Sequence, residues 1–132
     1  GLAQLERADA LIARKREIVE LYNAGLRGVP VTPQGEENGM VNSYWMYTVL
    51  VPNASVRDPF RDHLLRAGIE TRPTFYPIHT MPMYAQNRRS HPVAEDLCLR
   101  GVNLPSFPDL TEQEVALVCS EIRKFFAQTS HR

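Results

Sequence analysis

Lysine is the scarce residue. Of the fifteen basic side chains in this 132-residue chain, only Lys15 and Lys124 are lysines and the rest are arginines. Chemistry that needs an amine nucleophile therefore has two residues to draw on. Lys15 stands in the charged run Arg14-Lys15-Arg16-Glu17, and Lys124 on the outer face of the last expected helix. Both are predicted to be solvated, whereas an amine nucleophile has to be desolvated. Excess charge of either sign is missing as well: fifteen basic residues face fifteen acidic ones, with a pI near 7.1. A general nucleic-acid binder shows a strong basic excess, so that partner class is set aside. No apolar run approaches the ~18 residues of a membrane span, and no signal-peptide core precedes a cleavage site. These absences predict a soluble, cytoplasmic domain with no membrane partner. Cys98 and Cys119 are too few for a disulfide scaffold and do not form a CxxC pair. No two histidines stand at the i, i+4 step of a metal-binding helix, so a zinc site would need remote residues to converge, and none is expected. The seven glycines are scattered as turns and helix stops, with no phosphate-binding glycine loop. The acidic residues lie in caps and on helix faces, which leaves paired-carboxylate catalysis no anchor. By residue chemistry alone the chain reads as a binding or packing domain without a catalytic apparatus of its own.

What is present suits one domain with one core, at 43% hydrophobic and 23% charged residues. Residues 2–24 read as one long helix of about 35 Å, because Leu5, Ala8, Ile12, Val19 and Tyr22 recur at three- and four-residue steps. Gly25 is its expected stop. No capping residue marks its start, and Gly1 opens the chain without a methionine. The chain therefore reads as a piece of a longer protein, with an engineered start as the bland alternative. A connector rich in Pro, Gly and Glu fills 27–39. Residues 40–51 are the best strand, Val41, Trp45, Tyr47, Val49 and Val51 sharing one parity. Asp58-Pro59 reads as an N-cap followed by Pro at the first helical position, Phe60, Leu64 and Leu65 as the buried face, and Gly68 as the stop. Short strands are expected near 69–72 and 102–106, with a helix from Pro92 between them. Thr111 and Glu114 form a capping box and Leu110 with Val115 a hydrophobic staple at the head of the last helix. The predicted fold is α+β: a small, mainly antiparallel sheet backed by helices, with a long N-terminal helical arm. Residues 1–26 are the arm and 27–132 the small α/β domain.

The stretch 72–84, RPTFYPIHTMPMY, breaks every period. Arg72 offers a fork of donors suited to phosphate or carboxylate. Tyr76 and His79 carry polar tips on flat rings, and prolines stiffen the backbone between them. Long irregular loops inside compact domains are usually functional or disordered. This one reads either as a site or as a proline-stiffened connector whose rings plug the core. Trp45 either faces a ligand or belongs to the core. His63 is expected to face solvent, and His91 to be a turn residue.

Four segments in order, GLAQLERADALIARKREIVELYNAGL, NSYWMYTVLV, GIETRPTFYPIHTMPMY and NLPSFPDLTEQEVALVCSEI, cover nearly the whole chain. They resemble the C-terminal part of the DegT/StrS sugar-nucleotide aminotransferases, a fold-type-I pyridoxal-phosphate family. The RP followed by P-x-H-x-x-P-x-Y is most similar to the perosamine-synthase-like branch. The resemblance implies a small domain, joined by the arm as an interdomain helix, that closes over an active site built mostly by a larger domain. That larger domain would hold the Schiff-base lysine, the aspartate facing the pyridine nitrogen and the phosphate cup, so pyridoxal phosphate belongs to the parent enzyme and not to this chain alone. It further implies a homodimer and a nucleotide-sugar substrate touched by Arg72, Tyr76 and His79, with Trp45 and Tyr47 as further contacts. The expected parent activity is amino transfer, usually from glutamate, to a nucleotide-linked keto-sugar in deoxyaminosugar, polysaccharide or antibiotic-sugar biosynthesis. Two alternatives stand beside it: a related sugar dehydratase, and a non-catalytic ligand- or partner-binding domain, stand-alone or fused in a regulator.

Overall fold

In the computed structural model, residues 1–87 and 90–129 are described. Helices α1 (Leu2–Leu5) and α2 (Ala8–Gly25) lead into strand β1 (Thr32–Pro33) and strand β2 (Tyr47–Leu50). Helix α3 (Ala54–Arg66), strand β3 (Arg72–Pro73), helix α4 (Pro92–Arg100), strand β4 (Gly101–Leu104) and helix α5 (Glu112–Thr129) follow. Two short 3-10 segments, Ile78–Thr80 and Pro82–Asn87, lie between β3 and α4. The sheet runs β1-β2-β4-β3 with every neighbouring pair antiparallel. The α+β expectation holds: a small antiparallel sheet backed by helices.

One apolar cluster binds the layers. Ile18, Val19 and Tyr22 of α2, Phe60 and Leu64 of α3, and Val115, Val118 and Ile122 of α5 pack with Tyr47, Val49, Val51 and Val102. In register, Val49 pairs with Val102, and Val102 with Pro73. Their neighbours Thr48, Asn103 and Arg72 form the next cross-strand row and so share the opposite face. That row is polar: the Thr48 hydroxyl donates to Asn103 Oδ1 at 2.6 Å, and Asn103 Nδ2 donates to the Pro73 carbonyl at 3.3 Å.

Several local expectations need correction. The arm is two helices, not one, because the chain turns at Glu6 and Arg7 before α2 begins. Gly25 is the last residue of α2 and serves close packing: a Cβ there would stand 2.6 Å from Cys119 Sγ on α5. The helix expected from Asp58 begins a turn earlier, with Asn53 as its N-cap, so Pro59 lies inside α3. Its missing N–H leaves the Ser55 carbonyl without its helical donor. Strand β2 starts only at Tyr47, because Tyr44 adopts φ 48° and the backbone then bends at Trp45 and Met46. The Tyr44 conformation is held locally: its N–H donates to Asn42 Oδ1 at 2.8 Å, and the Arg16 guanidinium lies 5.8 Å from its ring centre. His63 faces inward at 17% side-chain exposure, packed on Phe125 and 3.4 Å from Glu121. The capping box forms as read: Thr111 N–H donates to Glu114 Oε2 at 2.7 Å, and Glu114 N–H to Thr111 Oγ1 at 3.2 Å. Gly68, at φ 78°, ends α3 as expected.

Candidate functional site

The residues singled out from the sequence fall into three places. Tyr47 is in the core. Its ring is fully buried and stacked on Tyr22 at 4.9 Å, and its hydroxyl donates to Asn23 Oδ1 at 2.7 Å. Burial pushes both phenols upward. Tyr47 therefore leaves the set of substrate contacts: its parity puts it on the face that the helices cover.

Trp45 and Arg72 meet at one cleft. Because the backbone bends at Trp45 and Met46 before the strand begins, Trp45 does not follow Tyr47 inward and is 73% exposed. The core reading of this tryptophan is overturned. Its indole lies nearly parallel to the Phe75 ring, centroids 6.1 Å apart. Arg72 projects from the polar face of the sheet with its side chain 75% exposed and, among the described residues, only a long 3.9 Å contact to Glu70. A cleft of about 600 Å³ has Trp45, Arg72, Asn103, Ser106, Phe107 and Lys15 among its walls. An exposed guanidinium beside flat rings can bind an anionic group while an attached planar or apolar part stacks.

Tyr76 and His79 lie on the loop that follows β3, outside that cleft's walls. Phe75, Tyr76, Ile78, Met83 and Tyr84 are all exposed, so the loop's rings do not plug the core. His79 differs from its neighbours at 16% side-chain exposure. Its Nε2 is 2.9 Å from Glu95 Oε1 on α4, and its ring meets the His91 ring edge-on at 4.7 Å. The hydrogen bond from His79, helped by the His91 backbone N–H, holds the Glu95 carboxyl below its usual range. His91 is the N-cap of α4.

Sequence reasoning missed Glu95, Phe75 and the fixed state of Lys15. The Lys15 ammonium donates to the Trp45 carbonyl at 3.0 Å, to Ser106 Oγ at 2.8 Å and to the Ser106 carbonyl. Partial burial lowers its pKa. The signal was available: Lys15 continues the stripe of Ile12, Val19 and Tyr22 at steps of three and four. All three N–H directions of that ammonium are spent on tying α2 to the ends of β2 and β4. Lys124 is paired with Glu121 at 2.6 Å on the outside of α5. Lys15 is held by its three acceptors and Lys124 stands 58% exposed in solvent. Neither has the desolvated setting of an aldehyde-binding amine, so these residues do not fit a pyridoxal-phosphate site. Among the described residues no three His, Cys, Asp or Glu side chains gather as metal ligands would. No helix there is long and apolar enough to cross a membrane.

Comparison with known proteins follows the same lines. The model of the DegT/DnrJ/EryC1/StrS aminotransferase family matches residues 1–123. GDP-perosamine synthase of Escherichia coli O157:H7 is 46% identical over 127 residues, covering 96% of this chain and 35% of that protein. The Vibrio cholerae GDP-perosamine synthase is 38% identical over 130 residues, with the same two shares. Among solved structures, an aminotransferase from Streptoalloteichus hindustanus superposes with a TM-score of 0.90 at 31% identity, over 98% of this chain and 36% of that one. The chain thus spans about a third of the length of the relatives it matches.

Proposed function

The chain belongs to the DegT/DnrJ/EryC1/StrS aminotransferase family, and from that premise we propose that it is the small-domain part of a pyridoxal-phosphate enzyme transferring an amino group to a nucleotide-linked keto-sugar. The observation that carries this reading is its likeness, along nearly its whole length, to a GDP-perosamine synthase of which it spans only a third. When bound, the cofactor supplies the electron sink for amino transfer. Because neither Lys15 nor Lys124 fits that cofactor, its lysine lies outside these 132 residues in this reading. The part left to this chain is orientation. Arg72 takes the diphosphate through its exposed guanidinium, Trp45 offers a flat surface beside it, and Tyr76 and His79 approach the sugar from the following loop.

We further propose that the whole enzyme is a cytoplasmic homodimer. Support comes from the arm, where Leu2 and Leu5 on α1 are each 72% exposed and Ile12 on α2 is 38% exposed.

The experiment is direct. The whole protein is incubated with pyridoxal phosphate, glutamate and either a GDP-linked or a dTDP-linked 4-keto-6-deoxysugar, and products are read by mass spectrometry. An amino sugar nucleotide together with 2-oxoglutarate is expected. Loss of water without amine gain would identify a dehydratase instead, and tight binding with no turnover a ligand module. Borohydride treatment of this chain with the cofactor should give no stoichiometric label at Lys15 or Lys124 and no turnover.

A further inference from the structure

One oxygen of Glu95 holds two groups. Oε1 lies 2.9 Å from His79 Nε2 and accepts the His91 backbone N–H at 3.0 Å. The hydrogen bonds to this carboxyl favour its charged form. A carboxylate only accepts, so His79 Nε2 must carry the proton between them, and in the neutral ring Nδ1 is then an acceptor. Nδ1 makes no hydrogen bond to a described residue. The His91 ring closes one side of the imidazole, edge-on at 4.7 Å. His79 itself sits on a 3-10 turn of three residues, Ile78–Thr80, away from the strand ladder. Its own segment therefore has little to fix the ring plane or the tautomer. Glu95 stands in the first turn of α4 and does both from outside the loop.

We infer that Glu95 is a positioning residue for substrate binding: it fixes His79 as the Nε2–H tautomer, so that Nδ1 presents an acceptor to a hydroxyl of the sugar. The inference rests on the proposed function above and deepens it. It names the chemistry that His79 reads, a donor on the substrate and not an anion. An anionic group would need a donor at Nδ1, which only the other tautomer or the imidazolium provides.

Two measurements test it. The first reads the ring without reference to activity. Imidazole ¹⁵N shifts of His79 in the whole protein, taken near pH ~8.5 where an ordinary imidazole is neutral, should report protonated Nε2 and bare Nδ1. Glu95→Ala should turn that signature into a mixture of tautomers. The second is steady-state kinetics in the whole enzyme. Glu95→Ala should raise KM for the keto-sugar nucleotide about tenfold with kcat changed less than about threefold, the scale of one lost hydrogen bond. Glu95→Gln keeps a carbonyl oxygen that can accept from both His79 and His91, and should return KM to within about threefold of wild type. His79→Ala should match Glu95→Ala, and the double variant should be no worse than either, because Glu95 acts through His79. A protonated Nδ1 in the wild type, an unchanged KM in Glu95→Ala, or additive effects in the double variant would each overturn the inference. Failure of the parent reading looks different: the expected tautomer is present, but the wild type transfers no amino group to any keto-sugar nucleotide.

Discussion

Replacing Tyr47 by Phe removes a single oxygen from the junction of α2 and β2. That oxygen donates to Asn23 Oδ1 at 2.7 Å while the ring stays stacked on Tyr22 at 4.9 Å. The lost hydrogen bond is worth about 1 kcal/mol net. A stranded partner would add a desolvation penalty, but Asn23 is exposed and can turn its amide oxygen to water. The cost should therefore stay near ~1 kcal/mol, or a drop of about 4 °C in Tm for a domain of this size. Tyr47→Ala is a different perturbation, because it removes a fully buried ring and leaves a cavity. Losses of about 3–5 kcal/mol are usual for such a change. Urea unfolding followed by far-UV circular dichroism gives both values, with an unchanged m as the check that the folded and unfolded states are the same. In the whole enzyme, Tyr47→Phe should leave KM for the sugar nucleotide untouched. A variant with wild-type stability and a raised KM would refute the core assignment and return Tyr47 to the substrate contacts.

Other outcomes follow from the same contacts. Gly25→Ala should destabilise by about 1–3 kcal/mol, because its Cβ would meet Cys119 Sγ at 2.6 Å, and Cys119→Ala should recover part of the loss in urea titrations. Thr111→Ala should cost about 1 kcal/mol by removing the cap of α5. The Glu114 carboxyl is held below its usual range by the Thr111 backbone N–H and hydroxyl, so its stabilisation is full above the ordinary glutamate pKa and is lost as pH falls through the lowered folded value. Glu114→Gln should accordingly flatten the acid side of the stability profile measured by thermal melts. Leu5→Glu with Ile12→Glu should abolish self-association of this chain in sedimentation velocity at micromolar concentration, whereas a monomeric unmutated chain would exclude pairing through the arm.

Much of the frame was legible because its signals are local. Thr111, Glu114, Leu110 and Val115 announce α5 by hydrogen bonds and contacts within one turn, and Pro92 to Arg100 forms the helix its proline and following glycine suggest. Alternation from Tyr47 to Val51 marks β2 for the same reason. The misses share a cause: each depends on a partner distant in sequence or on a break in the regular backbone. Nothing nearby in the sequence forecasts the bend at Trp45 and Met46, yet that bend separates exposed Trp45 from buried Tyr47. Lys15 looked solvated among charged neighbours, but its acceptors, Trp45 and Ser106, lie 30 and 91 residues away. Glu95 reaches His79 across a loop whose path no period describes. Pro59 misled by being a good first-turn residue in a helix that starts earlier, at Asn53. The candidate residues were thus recognisable as types, while their grouping, Arg72 with Trp45 and His79 with Glu95, came only with the fold.

Whether the loop from Arg72 to Tyr84 serves a substrate is read most directly by the KM of Arg72→Ala in the whole enzyme. Loss of a charge-assisted contact to a diphosphate should raise KM for the keto-sugar nucleotide by the equivalent of about 1.5–3 kcal/mol, roughly ten- to 150-fold, with kcat changed much less. Unchanged KM in both Arg72→Ala and His79→Ala would contradict the assignment and leave this loop a surface feature of the domain.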